Sequence, residues 1–202
     1  MRKRSAHLQY DWWKYVAALL IPLILWCSVF SVLKKPKANE RLHILFLGSG
    51  LNCQAMEQDL TDHLQKNTSQ ELKSVQVTLA EYSKENYASQ LMAATYSYDI
   101  IIISENQMQD RVGQEYFFVL PEALQSTEIT LYEETANDET MPFGAVVCDG
   151  IQQDSFSKYY SSAEKCYIFI SPQTENLYPF NAKSRQGDNA AVIAWQWLME
   201  KQ

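Results

Sequence analysis

Asp99-Ile100-Ile101-Ile102-Ile103-Ser104 (DIIIIS) is the stretch on which the fold turns. Four consecutive isoleucines between polar ends read as a strand buried on both faces, because no position is left for water. Upstream, LHILFL (Leu42–Leu47) repeats the pattern and stops at Gly48-Ser49-Gly50, a strand running into a turn. Asn52 then caps a helix in which Met56, Leu60 and Leu64 recur every four residues. Val75, Val77 and Leu79 alternate with Gln76 and Thr78, which predicts a strand exposed on one face. Tyr87, Leu91 and Ala94 mark a second helix that leads back to DIIIIS.

This order is β-α-β-α-β, and strands separated by helices imply crossovers and a mainly parallel sheet. Downstream, a polar helix is expected near residues 107–116, and Pro121 starts a further turn. Residues 125–140 are acidic and read as a loop, or as a loop around a brief strand at Ile129–Tyr132. Met141–Asp149 and Cys166–Ser171 supply two more strands. Asp188 or Asn189 caps a last helix with an apolar stripe of Ala191, Ala194, Trp195 and Leu198. The predicted fold class is α/β, a three-layer sandwich with a mainly parallel sheet.

Ahead of that domain lies VAALLIPLILWCSVFSVL, residues 16–33, uncharged and apolar. As a helix it would rise about 27 Å, roughly the thickness of a hydrocarbon core. A cleavable signal is poorly served by Val29 and Ser31 at the cut, and Trp26 before Cys27 argues against lipidation. An uncleaved anchor is expected, with Trp12, Trp13 and Tyr15 at the membrane–water boundary and Arg2, Lys3, Arg4 and Lys14 inside. The predicted organisation is a basic, aromatic tail (1–15), a transmembrane anchor (16–33), a linker (34–41) and an extracytoplasmic domain (42–202) on the cell membrane.

Charge divides along the same boundary. Residues 1–39 hold seven Lys/Arg and one acid, and residues 40–202 hold ten and twenty-three, so +6 and −13 sum to −7. An acidic domain is a poor partner for nucleic acid, whose affinity rests on cations meeting phosphates. Cysteines Cys27, Cys53, Cys148 and Cys166 show no metal spacing, and neither do His7, His43 and His63. A Cys148–Cys166 bridge is one alternative, and buried thiols acting as small apolar residues are the expected one. Gly48-Ser49-Gly50 is neither a P-loop nor a dinucleotide fingerprint, and no nucleophile elbow is present. No catalytic residues, metal or cofactor are assigned, and the chain is expected not to be an enzyme.

Residues 42–150 resemble the first lobe of extracytoplasmic solute-binding proteins of ABC transporters, the sugar-binding type in particular. Tyr82-Ser83 precedes a helix of the YxxxLMAA kind at Tyr87–Ala94, and DIIIIS is similar to that family's PDVVFLD strand. Val119–Leu124 (VLPEAL) resembles its LxPLDDYL segment, and Met141–Gly144 (MPFG) its YGLP strand. The opening YDWWKY (Tyr10–Tyr15) is similar to that of small anchored proteins of Gram-positive bacteria. Some fifty residues follow Asp149, which suffices to finish one lobe and not to build a second. The resemblance implies a non-enzymatic, anchored binding domain, an accessory or partner-binding component of a membrane transport system. Its partners would be permease-type subunits or a sugar-like molecule. A structural, protein-interaction module without a small ligand is the alternative.

Ligands in open α/β sheets bind outside the carboxyl ends of the strands. That rule selects Ser49, Asn52, Ser104 and Glu105 as polar contacts, with Tyr82 or Phe143 to stack on a sugar face. Ordinary turn and cap roles are the competing explanation for them. Glu133, Glu134, Asp138 and Glu139 read as a solvated acidic loop, since their spacing matches no calcium loop. Tyr178 and Phe180, in the loop Leu177–Phe180, are the candidate partner contact.

Overall fold

The computed structural model describes residues 12–33, 37–68, 72–125, 129–136, 138–150, 155–182, 184 and 186–199. The basic residues ahead of Trp12, Lys34 and Lys35 of the linker, and residues 126–128 of the acidic stretch lie outside that set. The chain divides into two units, Met1–Pro36 and Lys37–Gln202.

In the first unit, helix α1 (Trp12–Leu33) carries Pro22 inside it. Among the described residues it is the one helix long and apolar enough to cross a membrane, a test that a signal sequence also passes. Ser28 Oγ donates to the Ile24 carbonyl at 2.8 Å, which satisfies a hydroxyl within an otherwise apolar surface.

The second unit is built on one six-stranded sheet among the described residues. Its strands are β1 (Arg41–Leu47), β2 (Ser74–Ala80), β3 (Ile100–Ser104), β4 (Leu131–Ala136), β5 (Glu139–Cys148) and β6 (Cys166–Ile170). They lie in the order β2-β1-β3-β6-β5-β4. Helices α2 (Cys53–Asn67), α3 (Tyr87–Ser97), α4 (Val112–Tyr116) and α5 (Ala190–Met199) cover both faces.

Alternation along the central strands divides the core. Leu42, Ile44, Phe46, Ile100 and Ile102 face Met56, Leu60 and Leu64 of α2 and Trp195 of α5. Leu45, Leu47, Ile101 and Ile103 face Tyr87, Leu91 and Ala94 of α3 and Val112 of α4. Every residue of β3 is buried, as DIIIIS predicts. Asn52 caps α2 as expected, its Oδ1 accepting from the Ala55 N–H at 3.2 Å. The edge strand β2 buries Val77 and leaves Gln76 and Leu79 to solvent.

The expectation of a mainly parallel sheet is corrected. β1 is parallel to β2 and to β3, whereas β3–β6, β6–β5 and β5–β4 are antiparallel. For β4 and β5 the reason is local. A parallel neighbour needs a long crossover, but β4 and β5 are joined by a turn in which Asp138 has φ 67, so the chain doubles back at once. The acidic stretch 125–140 therefore contains a longer strand than the expected Ile129–Tyr132, half-exposed and displaced to Leu131–Ala136. The helix expected at 107–116 shrinks to a 3-10 turn at Glu105–Gln107 and the short α4.

Candidate functional site

The chain leaves β1 for β2 on one side and returns to β3 on the other, so the switch point lies between the carboxyl ends of β1 and β3. The structure brings Ser49, Asn52, Tyr82, Ser104 and Glu105 to that edge of the sheet. It does not leave them an open crevice. Ser104 is fully buried, and its one hydroxyl proton is shared between the Leu47 carbonyl at 2.9 Å and Asn106 Oδ1 at 2.6 Å. Gly48 makes this approach feasible, because a Cβ there would stand 2.5 Å from Ser104 Oγ.

The connection between β5 and β6 then fills the space. Leu51 bridges to Tyr160, and the Asn52 N–H donates to the Tyr159 carbonyl at 2.7 Å. Ser161 N–H donates to the Gly50 carbonyl at 3.0 Å, and Asn106 Nδ2 to Glu164 Oε1 at 3.2 Å. Tyr160 is buried with its ring centroid 5.3 Å from that of Phe46. Asn52 keeps its capping role and Ser49 stays on the exposed turn.

Phe143 is corrected as a ligand contact. It sits within β5, 5% exposed, in the core on the α3 and α4 face. Strand register carries it toward the opposite end from Ser104: Ala145 pairs with Ile168, which pairs with Ile102. Its ring lies where a Cβ on Gly113 would come within 2.7 Å, so α4 is pressed directly onto it. Tyr82 is half-buried, packing edge-on to Tyr87 with centroids 6.2 Å apart. Burial, with a smaller push from Tyr98, raises its phenol pKa.

An open cleft of about 490 Å³ lies beside this edge, and Glu105 borders it. Tyr132 of β4 and Tyr167 of β6 form its aromatic wall, their centroids 5.2 Å apart and their rings edge to face. Glu134 fixes the wall to α4. Its carboxylate accepts from the Gly113 N–H at 2.7 Å, the Gln114 N–H at 3.0 Å and the Tyr132 hydroxyl at 2.7 Å. Burial first, and the Glu134 hydrogen bond second, push the Tyr132 phenol far up, while burial and the Glu105 charge raise Tyr167. Both stay protonated donors at neutral pH. Arg111 takes the left-handed conformation (φ 59) at the cleft and adds one cation to Glu105, Asp110 and Glu134.

Chemically, this cleft offers phenol edges, carboxylate acceptors and one guanidinium, which suits a ligand rich in hydroxyl or amino groups. The signal for it was the alternation of Tyr132 and Glu134 inside the acidic stretch, hidden because the stretch reads as a loop. Neither described histidine lines it: His43 packs near Tyr98 and His63 near Trp197. Among the described residues, no group of three or more His, Cys, Asp or Glu is placed to hold a metal ion. In the loop singled out for a partner, Leu177 is buried, Phe180 packs partly on the core, and Tyr178 is 37% exposed. Comparison with protein-family models, with curated proteins and with solved structures gives no match.

Proposed function

We propose that this chain is a single-pass, membrane-anchored binding domain held on the outer side of the membrane. It would resemble one lobe of a transport solute-binding protein and act as an accessory component of a membrane transport system. The observation that carries the reading is the cleft that runs from Glu105, after β3, past Tyr167 of β6 to Tyr132 of β4, in an α/β domain that follows an apolar helix in the chain. Its walls join aromatic edges to charged hydrogen-bonding groups, the usual means of holding a small polar ligand in a fixed orientation. The ligand is a sugar-like molecule, taken weakly because the cleft is open to solvent.

Titration calorimetry of the full chain in detergent against neutral sugars, amino sugars and short peptides tests the reading. A saturable heat with one class, lost in Tyr167→Ala, is expected. No heat from any class, with no polytopic partner recovered after cross-linking in membranes, overturns it.

A second reading, an interaction module with no small ligand, is favoured by the filled switch point and by Tyr178 standing on the surface. Loss of a cross-linked partner in Tyr178→Ala, with no ligand found by calorimetry, would select it.

A further inference from the structure

Cys148 and Cys166 are direct partners across β5 and β6. Their approach depends on an irregularity. The register runs Ala145–Ile168 and Val146–Tyr167, then skips to Cys148–Cys166, which leaves Val147 as the extra residue of a bulge. Strict alternation from Ala145 would send Cys148 to the face opposite Cys166. The inserted residue reverses this, and Ala145, Val147 and Cys148 share one core with Cys166, Ile168 and Ile170.

Opposed residues on antiparallel strands have Cα atoms about 4.5–5.5 Å apart, inside the range of about 4.4–6.8 Å that a disulfide spans. Their Cβ atoms must close to about 3.5–4.5 Å, and the bend at a bulge gives the strand that latitude. Both thiols are free in the structure, and the other two cysteines are placed differently. Cys53 begins α2, its Sγ 3.9 Å from the Leu51 carbonyl oxygen, and Cys27 lies on α1.

We propose that Cys148 and Cys166 are oxidised to a single cross-strand cystine as the domain folds outside the membrane, a step that rests on the outward placement proposed above. The oxidant is a low-molecular-weight disulfide. One cysteine thiolate attacks it, forming a mixed disulfide and releasing one thiolate, which takes up a proton. The second cysteine, as its thiolate, attacks the protein sulfur of that mixed disulfide, forming the cystine and releasing the other thiol. Two electrons and two protons pass from the protein to the small disulfide, which becomes two thiols. With Cys148 3% and Cys166 0% exposed, the exchange precedes closure of the core.

The bond ties down both ends of the segment that fills the switch point. It also fixes β6 one residue before Tyr167, in the wall of the cleft. The consequence is a preset edge beside the cleft.

Two samples of the full-length protein test this. One is recovered from membranes with thiols blocked during lysis. The other is unfolded under reduction and refolded in detergent with oxidised and reduced glutathione, then alkylated. Trypsin cuts after Arg111, Lys158, Lys165 and Lys183, so the cystine joins peptides 112–158 and 166–183. Joined peptides in both samples are expected, retained in Cys53→Ala, together with an unfolding midpoint about 5–10 °C lower in reductant. Separately alkylated peptides in both samples, or a join to the Cys53 peptide 42–66, overturn the pairing. A join in the refolded sample alone keeps the pairing and overturns the outward placement.

Discussion

Asn176 Nδ2 donates to Asp99 Oδ1 at 3.1 Å and to the Arg41 carbonyl at 2.7 Å, so one amide ties the loop after β6 to the starts of β1 and β3. Asp99 also accepts from the Thr174 hydroxyl, and from the His43 N–H at 2.8 Å. Removing the carboxylate takes the acceptor from the Thr174 hydroxyl and the His43 N–H and one of its acceptors from Asn176, and an unmet buried donor costs about 1–3 kcal/mol. Asp99→Ala is therefore expected to lower stability by about 3 kcal/mol in denaturant unfolding. A loss under about 1 kcal/mol would mean that the latch contributes little.

The same carboxyl sets a pH dependence. Burial raises its pKa above the ordinary 3.8, against the pull of Thr174, His43 and Asn176. The folded state then holds this proton at pH values where the unfolded chain has released it. Its contribution is fully present below the unfolded value and is lost as pH rises through the folded one. The stability gap between the wild type and Asp99→Asn should widen on acidification from about pH 7 to pH 4. A gap that narrows over that range contradicts this assignment.

Gly144 of β5 lies tight against β6. A Cβ there would meet the Ile168 carbonyl oxygen and approach two ring carbons of Phe169, at 2.8 and 2.9 Å. Backbone cannot move aside as a flexible side chain can, so Gly144→Ala should destabilise the domain by about 1–3 kcal/mol. Thermal unfolding reads this, and an unchanged midpoint would refute it.

Glu134 joins β4 to α4 by accepting from the Gly113 and Gln114 N–H groups and from Tyr132. Glu134→Ala should cost about 2 kcal/mol and weaken any ligand bound in the cleft. Glu134→Gln, which retains acceptor capacity, should lose less. Equal losses in the two variants would show that the hydrogen bonds do not hold this wall.

The left half of the sheet is written plainly in the chain. Met56, Leu60 and Leu64 repeat at helical spacing, Asn52 caps, and DIIIIS is apolar throughout, so α2, β1 and β3 follow from local pattern. The right half is not. β4 (LYEETA) is an edge strand with polar side chains on its open face, and its acidity imitates a loop. Once that strand is missed, the hairpin at Asp138 and the antiparallel run through β5 and β6 are missed with it. The site divides in the same way. The carboxyl-edge rule places Ser104 and Glu105 at one end of the sheet, but nothing local reveals that Ser104 is buried, that residues 159–165 return to fill the crevice, or that Phe143 points into the core.

The most direct test of an outward-facing, tethered binding domain is labelling of Ser83→Cys, an exposed position after β2, with a membrane-impermeant maleimide in intact cells. The expected result is labelling without permeabilisation, in a chain that stays with the membrane fraction. Labelling only after the membrane is opened, or release of the labelled chain into the medium, would contradict the account.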